Sequence, residues 1–166
     1  QLAFSLGAAR GSARNAALAK IALTDGADSW IRLAVLSSLR EGSGEVLEGA
    51  AAEREFRKSS HGRGFLLALA KQIGAANRKD EIASVLKSLS NLPNEEKSLA
   101  EALVAALAEQ LKGDARKQML AAAGGKAGAL LDELLTQARA AASDDTKPVT
   151  ARVEAIRSLR LSPLSG

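Results

Sequence analysis

The run Asp25-Gly26-Ala27-Asp28-Ser29-Trp30-Ile31-Arg32-Leu33-Ala34-Val35-Leu36-Ser37-Ser38-Leu39 decides the fold. It opens on an Asp-rich turn, and Asp28 is placed to accept a hydrogen bond from a free backbone N–H at a helix start. Ile31, Ala34, Val35 and Leu39 then recur at helical spacing. Trp30, Leu33 and Leu36 fall on the other sides, so this helix is expected to be buried on several sides. Shifted by 120 residues, the run meets a second version of itself. Asp25 meets Asp145, Asp28 meets Pro148, and Arg32 meets Arg152. Leu33 meets Val153, Leu36 meets Ile156, and Ser38-Leu39 meets Ser158-Leu159. The shared pattern is an Asp, an Arg at +7, then apolar residues at +1, +4 and +7 from the Arg.

Outward from this run the chain reads as short helices joined by short loops. Leu18, Ile21 and Ala22 share a face after Ser12, a candidate N-cap. Gly42 suits the left-handed position that ends a helix. A short helix is expected over 44–53, and 54–60 reads as a polar loop. Leu66, Leu69, Ala70 and Ile73 form the next stripe, weakened at Gly74. Asp80 is a candidate cap for Ile82, Val85, Leu86 and Leu89. Leu92-Pro93-Asn94 marks a boundary, with Asn94 as cap and Glu95 and Glu96 suited to the positive helix start. Leu99, Leu103, Ala106, Leu107 and Leu111 follow. Gly113-Asp114 pairs a stop with a cap, and a short helix carrying Met119 and Leu120 ends at Gly124-Gly125. Leu130, Leu131, Leu134, Leu135 and Ala138 make another stripe, ending near Ser143. After a loop at 144–147, Pro148 suits the start of a last helix with Val149, Val153, Ile156 and Leu159. That makes eight or nine helices at about 40 residues per pair, the period of stacked two-helix repeats.

Composition agrees. Of 166 residues, 35 are Ala and 26 are Leu, whereas Val, Ile and Thr together supply 15. Strong helix formers dominate and strand formers are scarce, which disfavours a sheet. There is no Cys, so disulfides, thiolate metal sites and thiol nucleophiles are excluded from this chain. No apolar run reaches the length of a membrane span. The net charge of +4 comes from 23 basic and 19 acidic residues that are interspersed. The densest basic stretch, Arg54, Arg57, Lys58 and Arg63, includes Glu53 and Glu55 and reads as a solvated loop rather than a polyanion site.

The Asp turn followed by Ile31-Arg32 resembles the HEAT repeat, whose second helix opens after such a turn. Asp145 with Ala151-Arg152 fits less closely, and 42–143 lack the Asp…Arg pair. The resemblance implies structural roles for Asp25, Asp28, Arg32, Asp145 and Arg152, with Asp satisfying turn N–H groups and Arg laddering to the Asp of a neighbouring repeat. Over more of the chain, residues 1–40, loosely to 92, and again 144–160 look like the helical region of certain very large bacterial membrane-bound dehydrogenase-like proteins. Those combine a sugar-dehydrogenase-like β-propeller, a HEAT-like region and a C-terminal c-type cytochrome module with a Cys-x-x-Cys-His motif. Neither the propeller nor that motif lies in this chain, so redox chemistry is implied only for a parent chain. The resemblance implies an exported, periplasmic or envelope setting.

His61 is the only histidine and reads as a partly exposed helix-start residue. Met119 reads as core rather than an axial haem ligand. Gly62-Arg63-Gly64 lacks the third glycine of a dinucleotide loop, and Gly124-Gly125-Lys126-Ala127 lacks the Ser/Thr of a phosphate loop. Asp132 and Glu133 are neighbours on a helix and point about 100° apart, so they do not converge on one bond. Asp144-Asp145 belongs to the repeat turn.

The expectation is therefore an all-α, right-handed α-α superhelix, a HEAT/armadillo-like solenoid of about four helical hairpins, as one domain over 1–166. Gln1 in place of Met suggests a processed or excised piece of a longer chain, with exposed apolar surface at one or both ends. The expected function is a non-catalytic scaffold or protein-interaction module that spaces or docks domains in a large dehydrogenase-like protein. A generic protein-binding solenoid is the alternative, and a nucleic-acid-binding module the weaker one. No catalytic, cofactor-binding or metal residues are expected in this segment. The expected partners are other domains of the parent chain or another protein, without nucleic acid or membrane insertion, and the oligomeric state stays open.

Overall fold

The computed structural model describes residues 11–111 and 125–159. Among them every regular element is helical. These are α1 (Ser12–Asp25), α2 (Ser29–Ser38), α3 (Ser43–Ala52), α4 (Arg54–Lys58), α5 (Ser60–Ala76) and α6 (Lys79–Asn91). A 3-10 turn (Asn94–Glu96) leads into α7 (Lys97–Gln110), and α8 (Gly125–Ser143) and α9 (Val149–Leu159) complete the set. Expectations for residues 1–7, Gly113-Asp114, Met119-Leu120, Gly124, Leu161 and Leu164 lie outside the described residues, as do the side chains of Leu130, Leu131 and Leu134.

Packing follows a regular order. α1 packs on α3, α3 on α6 and α6 on α8, while α2 packs on α5 and α5 on α7. α1 also meets α2, α3 meets α5, α6 meets α7 and α8 meets α9. The apolar stripes read from the sequence supply the core. Leu18 and Ala22 of α1, Val35 of α2, Leu66, Leu69, Ala70 and Ile73 of α5, Val85 and Leu89 of α6, and Leu99, Leu103 and Leu107 of α7 are buried. Each such large side chain contributes roughly 1.5–3 kcal/mol on burial. Small residues set the helix spacing. A Cβ at Gly74 would lie 2.3 Å from the Leu107 carbonyl oxygen, so glycine here lets α5 lie directly on α7. Gly74 does not end α5; the helix runs on to Ala76, and Asn77 closes it in the left-handed region at φ 58°.

Several start and stop signals act differently from their sequence reading. Ser12 is the first residue of α1, and Gly11 takes the cap position at φ 93°. Gly42 is left-handed at φ 81°, but it opens α3 instead of closing α2. Asp80 lies inside the first turn of α6, where its charge suits the helix start, and Arg78 holds the cap position. Asn94 begins a 3-10 turn with no side-chain cap bond, because Pro93 and the turn carry the chain into α7. The polar loop expected over 54–60 is the short helix α4, since Phe56 and Arg57 both turn inward.

Exposure of the apolar residues departs further. Trp30 is 76% exposed and Leu33 is 56% exposed, so α2 is buried on one side only, through Ala34, Val35, Ser38 and Leu39. Val149, Val153 and Ile156 of α9 are also exposed, at 73%, 40% and 54%. α9 buries Ala155 instead.

Candidate functional site

The repeat turns come first. At the start of α2 the Asp28 carboxylate accepts the Trp30 backbone N–H at 2.8 Å, the cap that the sequence predicts. Asp25 contributes its backbone, its carbonyl accepting the Asp28 N–H at 3.1 Å. Arg32 does not ladder to a neighbouring Asp. Its Nη1 donates to the carbonyls of Gly26 and Ala27, six and five residues behind it, at 2.5 and 2.9 Å. Those carbonyls lie in the turn that follows α1, at and just past its C-cap, where no helical N–H reaches them. Arg152 also stays in its own turn, pairing with Asp145 at 3.0 Å and donating from Nε to the Ala142 carbonyl at 3.4 Å. Pro148 stands directly before α9, and Asp144 accepts from the Thr146 backbone N–H and hydroxyl within the turn. The Thr146 hydroxyl is the main reason its carboxyl titrates below the ordinary value, with its backbone N–H second.

Sequence reading missed the residue that repeats the Arg32 geometry. Arg57 Nη1 donates to the carbonyls of Ala51 and Ala52, again six and five residues behind, at 2.6 and 2.9 Å. Its remaining donors, Nε and Nη2, grip Glu96 at 2.6 and 3.0 Å. Bidentate arginine–carboxylate pairs are among the stronger charge-assisted contacts. The hydrogen bond from Arg57 holds the Glu96 carboxyl below its usual range, against the opposing effect of partial burial.

The Arg57–Glu96 pair is one of a set. Glu48 meets Lys87 and the Gly42 N–H meets Glu81, each across 39 residues. Arg78 reaches the Arg40 carbonyl across 38, Lys97 reaches Glu133 across 36, and Arg63 reaches the Ser98 hydroxyl across 35. Lys71 pairs with Glu109 at 3.1 Å. The Glu133 carboxylate raises the Lys97 ammonium above its ordinary value, chiefly through the hydrogen bond between them.

An open polar cleft of about 570 Å³ lies where α1, α3 and α6 meet the turn after α2. Its groups hold one another. Arg14 donates to Asn15 Oδ1 and to the Glu41 carbonyl, and Asn15 Nδ2 donates to Glu45 at 3.1 Å. Glu81 Oε1 accepts from the Gly42 N–H at 2.7 Å and from Arg78 at 3.2 Å. From α5, Gln72 donates to the Leu36 and Leu39 carbonyls. Arg14, Arg78 and Glu81 thereby tie the turn after α2 to α1 and to the start of α6.

His61 stands edge-on to Phe56 at 5.8 Å, and Phe56 in turn meets Phe65 edge-on at 5.9 Å. Arg57 is buried in its ion pair, which removes it from the basic stretch noted above. Among the described residues there is no group of three or more His, Cys, Asp or Glu placed to hold a metal ion. None of their helices is long and apolar enough to cross a membrane. Among the described residues, Trp30, Leu33, Val149, Val153 and Ile156 are the large apolar side chains that stand exposed.

No family model, no curated protein and no solved structure matches the chain.

Proposed function

We propose that this chain is a non-catalytic scaffold, a HEAT-like stack of about four helical hairpins that spaces or docks domains of a larger dehydrogenase-like protein. The observation that carries the reading is the separation of the polar contacts joining one helix pair to the next, 35 to 39 residues for those between Arg57 and Glu96, Glu48 and Lys87, and Arg63 and Ser98. In a stack each unit touches its neighbours, so long-range contacts gather at one repeat length. The packing order supports the same arrangement, with α1, α3, α6 and α8 as one row and α2, α5 and α7 as the other. The charged side chains of the described residues named above link neighbouring helix pairs. The redox setting rests on the resemblance over residues 1–92 and 144–160.

Two experiments test this. Carbodiimide coupling joins contacting lysines and carboxylates without a spacer. Mapped cross-links are expected at Glu48–Lys87, Lys71–Glu109 and Lys97–Glu133, each about one repeat apart. Links joining α1 to α8 within one chain would refute the stack. For function, the isolated chain is assayed for dye-linked oxidation of sugars and alcohols. No turnover is expected, and turnover would refute the scaffold.

A further inference from the structure

We propose that Asp25-Gly26 is a site of spontaneous modification, the isomerisation of Asp25 to isoaspartate, and that the Arg32 clamp holds the reaction in check. The inference concerns the turn between α1 and α2 and does not depend on the scaffold reading.

The sequence supplies the reacting pair. Glycine has no side chain to shield its amide nitrogen, so an aspartate followed by glycine cyclises more readily than one followed by a bulkier residue. The Gly26 nitrogen bonds to Asp25 Cγ, and its proton leaves with the carboxyl hydroxyl as water. Water then opens the five-membered ring at the Asp25 main-chain carbonyl, and the chain continues through Cγ with its mass unchanged. Packing admits no substitute for the glycine, since a Cβ at position 26 would lie 2.0 Å from the Ala22 carbonyl oxygen. Asp25 itself is exposed at the end of α1, where water reaches it.

The turn opposes this chemistry. Asp25 is the last residue of α1, and Gly26 stays in the right-handed helical region at φ −67° and ψ −4°. The ring cannot close on a helical Asp25, so the peptide joining Asp25 to Gly26 must first rotate about the Asp25 Cα–C bond. That peptide is held by the Asp28 N–H, which donates to the Asp25 carbonyl at 3.1 Å. The carbonyls of Gly26 and Ala27 are held by Arg32 at 2.5 and 2.9 Å. Asp28 is fixed in turn as the cap on the Trp30 N–H, and the Arg32 N–H donates to the Asp28 carbonyl at 3.2 Å. The rotation therefore swings the Gly26 carbonyl off the guanidinium, and cyclisation proceeds only from a locally opened turn. Losing two hydrogen bonds from a charged donor raises that open population, and the rate with it, by about tenfold. Arg32 is thus a positioning residue that contributes no atom to the ring.

The test ages the full chain in mildly acidic to neutral buffer and maps its tryptic peptides by electron-transfer fragmentation, which distinguishes isoaspartate from aspartate. Asp28, followed by Ser29, lies in the same peptide and serves as an internal control. Wild type is expected to isomerise slowly at Asp25, and much faster in urea, where the turn is gone. Arg32→Met should speed the reaction of the folded chain by about tenfold, and Arg32→Lys, with its single-point ammonium, by less. Far-UV circular dichroism establishes that each variant is folded. Should Arg32→Met fail to fold, Arg32→Lys against wild type carries the comparison. Gly74→Ala, which loosens α5 from α7 away from this turn, should leave the rate unchanged and so separates local opening from global instability. Equal rates in wild type and the Arg32 variants would overturn the proposal, as would equal acceleration by Gly74→Ala. Reaction in folded Arg32→Met no faster at Asp25 than at Asp28 would overturn the choice of site.

Discussion

Replacing Arg57 with Met keeps the aliphatic stem but removes the guanidinium, and the geometry sets the cost. Four hydrogen bonds disappear, two to Glu96 and two to the carbonyls of Ala51 and Ala52. The arginine side chain is 7% exposed and that of Glu96 is 16% exposed. Breaking a buried pair from one side costs about 3–5 kcal/mol, and the partial access of Glu96 to water places this case at the low end. Two carbonyls left unpaired at the end of α3 account for about 1 kcal/mol each within that total. Arg57→Met should therefore destabilise by about 3 kcal/mol, read from urea denaturation by circular dichroism. At roughly 2–4 °C per kcal/mol for a domain of this size, the melting temperature falls by about 6–12 °C. Glu96→Gln loses the charge and keeps the shape, at about 1 kcal/mol. In a double-mutant cycle the two positions should couple by about 1 kcal/mol or more. A loss below about 0.5 kcal/mol in Arg57→Met, or a coupling of zero, would refute the view that this pair fastens neighbouring units.

Acid provides a second readout of the same pair. The Glu96 carboxyl is held below its ordinary value of 4.5, first by the Arg57 hydrogen bond. A carboxyl depressed in the folded state contributes stability that is fully present above the unfolded value. That contribution is lost as pH falls through the lowered folded value. Wild type should lose this increment below about pH 4.5, whereas Glu96→Gln should lack that part of the slope. Equal slopes in the two proteins would contradict the assignment.

Three further substitutions test the packing and the turns. Gly74→Ala forces a Cβ to 2.3 Å from the Leu107 carbonyl oxygen, so α5 and α7 must separate, and chemical denaturation should show a loss of about 1–3 kcal/mol. Asp28→Ala removes the cap on the Trp30 N–H and should cost about 1 kcal/mol, with faster amide exchange in the first turn of α2 as the local sign. Gly42→Ala combines φ 81° with a Cβ 2.1 Å from Asn15 Nδ2, and it should destabilise by more than about 1 kcal/mol in thermal melts while displacing Asn15 from Glu45.

Helix positions were legible because they depend on periodicity. Leu66, Leu69, Ala70 and Ile73 recur at i, i+3, i+4 and i+7, and all four are buried. Exposure was less legible, because it depends on which neighbours arrive. Nothing local in Ser29–Ser38 says that only one side of α2 will be covered, so Trp30 and Leu33 read as core and stand in solvent. The cap at Asp28 was legible from one residue and its neighbours. The clamp at Arg57 was not, because its partner Glu96 lies 39 residues on and its own segment looks like a polar loop. The signal that could have found it is Phe56-Arg57 beside an acid one repeat length away.

Arg32 and Arg57 also change what the weak central repeat means. Both arginines take the carbonyls five and six residues behind them, Arg57 those of the last two residues of α3 and Arg32 those of the turn just after α1. A guanidinium has five donors, and Arg57 directs those left over to the next unit through Glu96. The central turns lack the Asp…Arg pair, yet their backbone groups are not abandoned. The turn after α2 is held by Arg14 from α1, Gln72 from α5, and Arg78 and Glu81 at the start of α6. The task performed within the turn at Asp28 and Arg32 is thus performed in the middle of the chain by side chains of adjacent units. Where the Asp…Arg pair is absent after α2, the turn is thus held by hydrogen bonds that reach from other helices, 27 to 39 residues away in sequence.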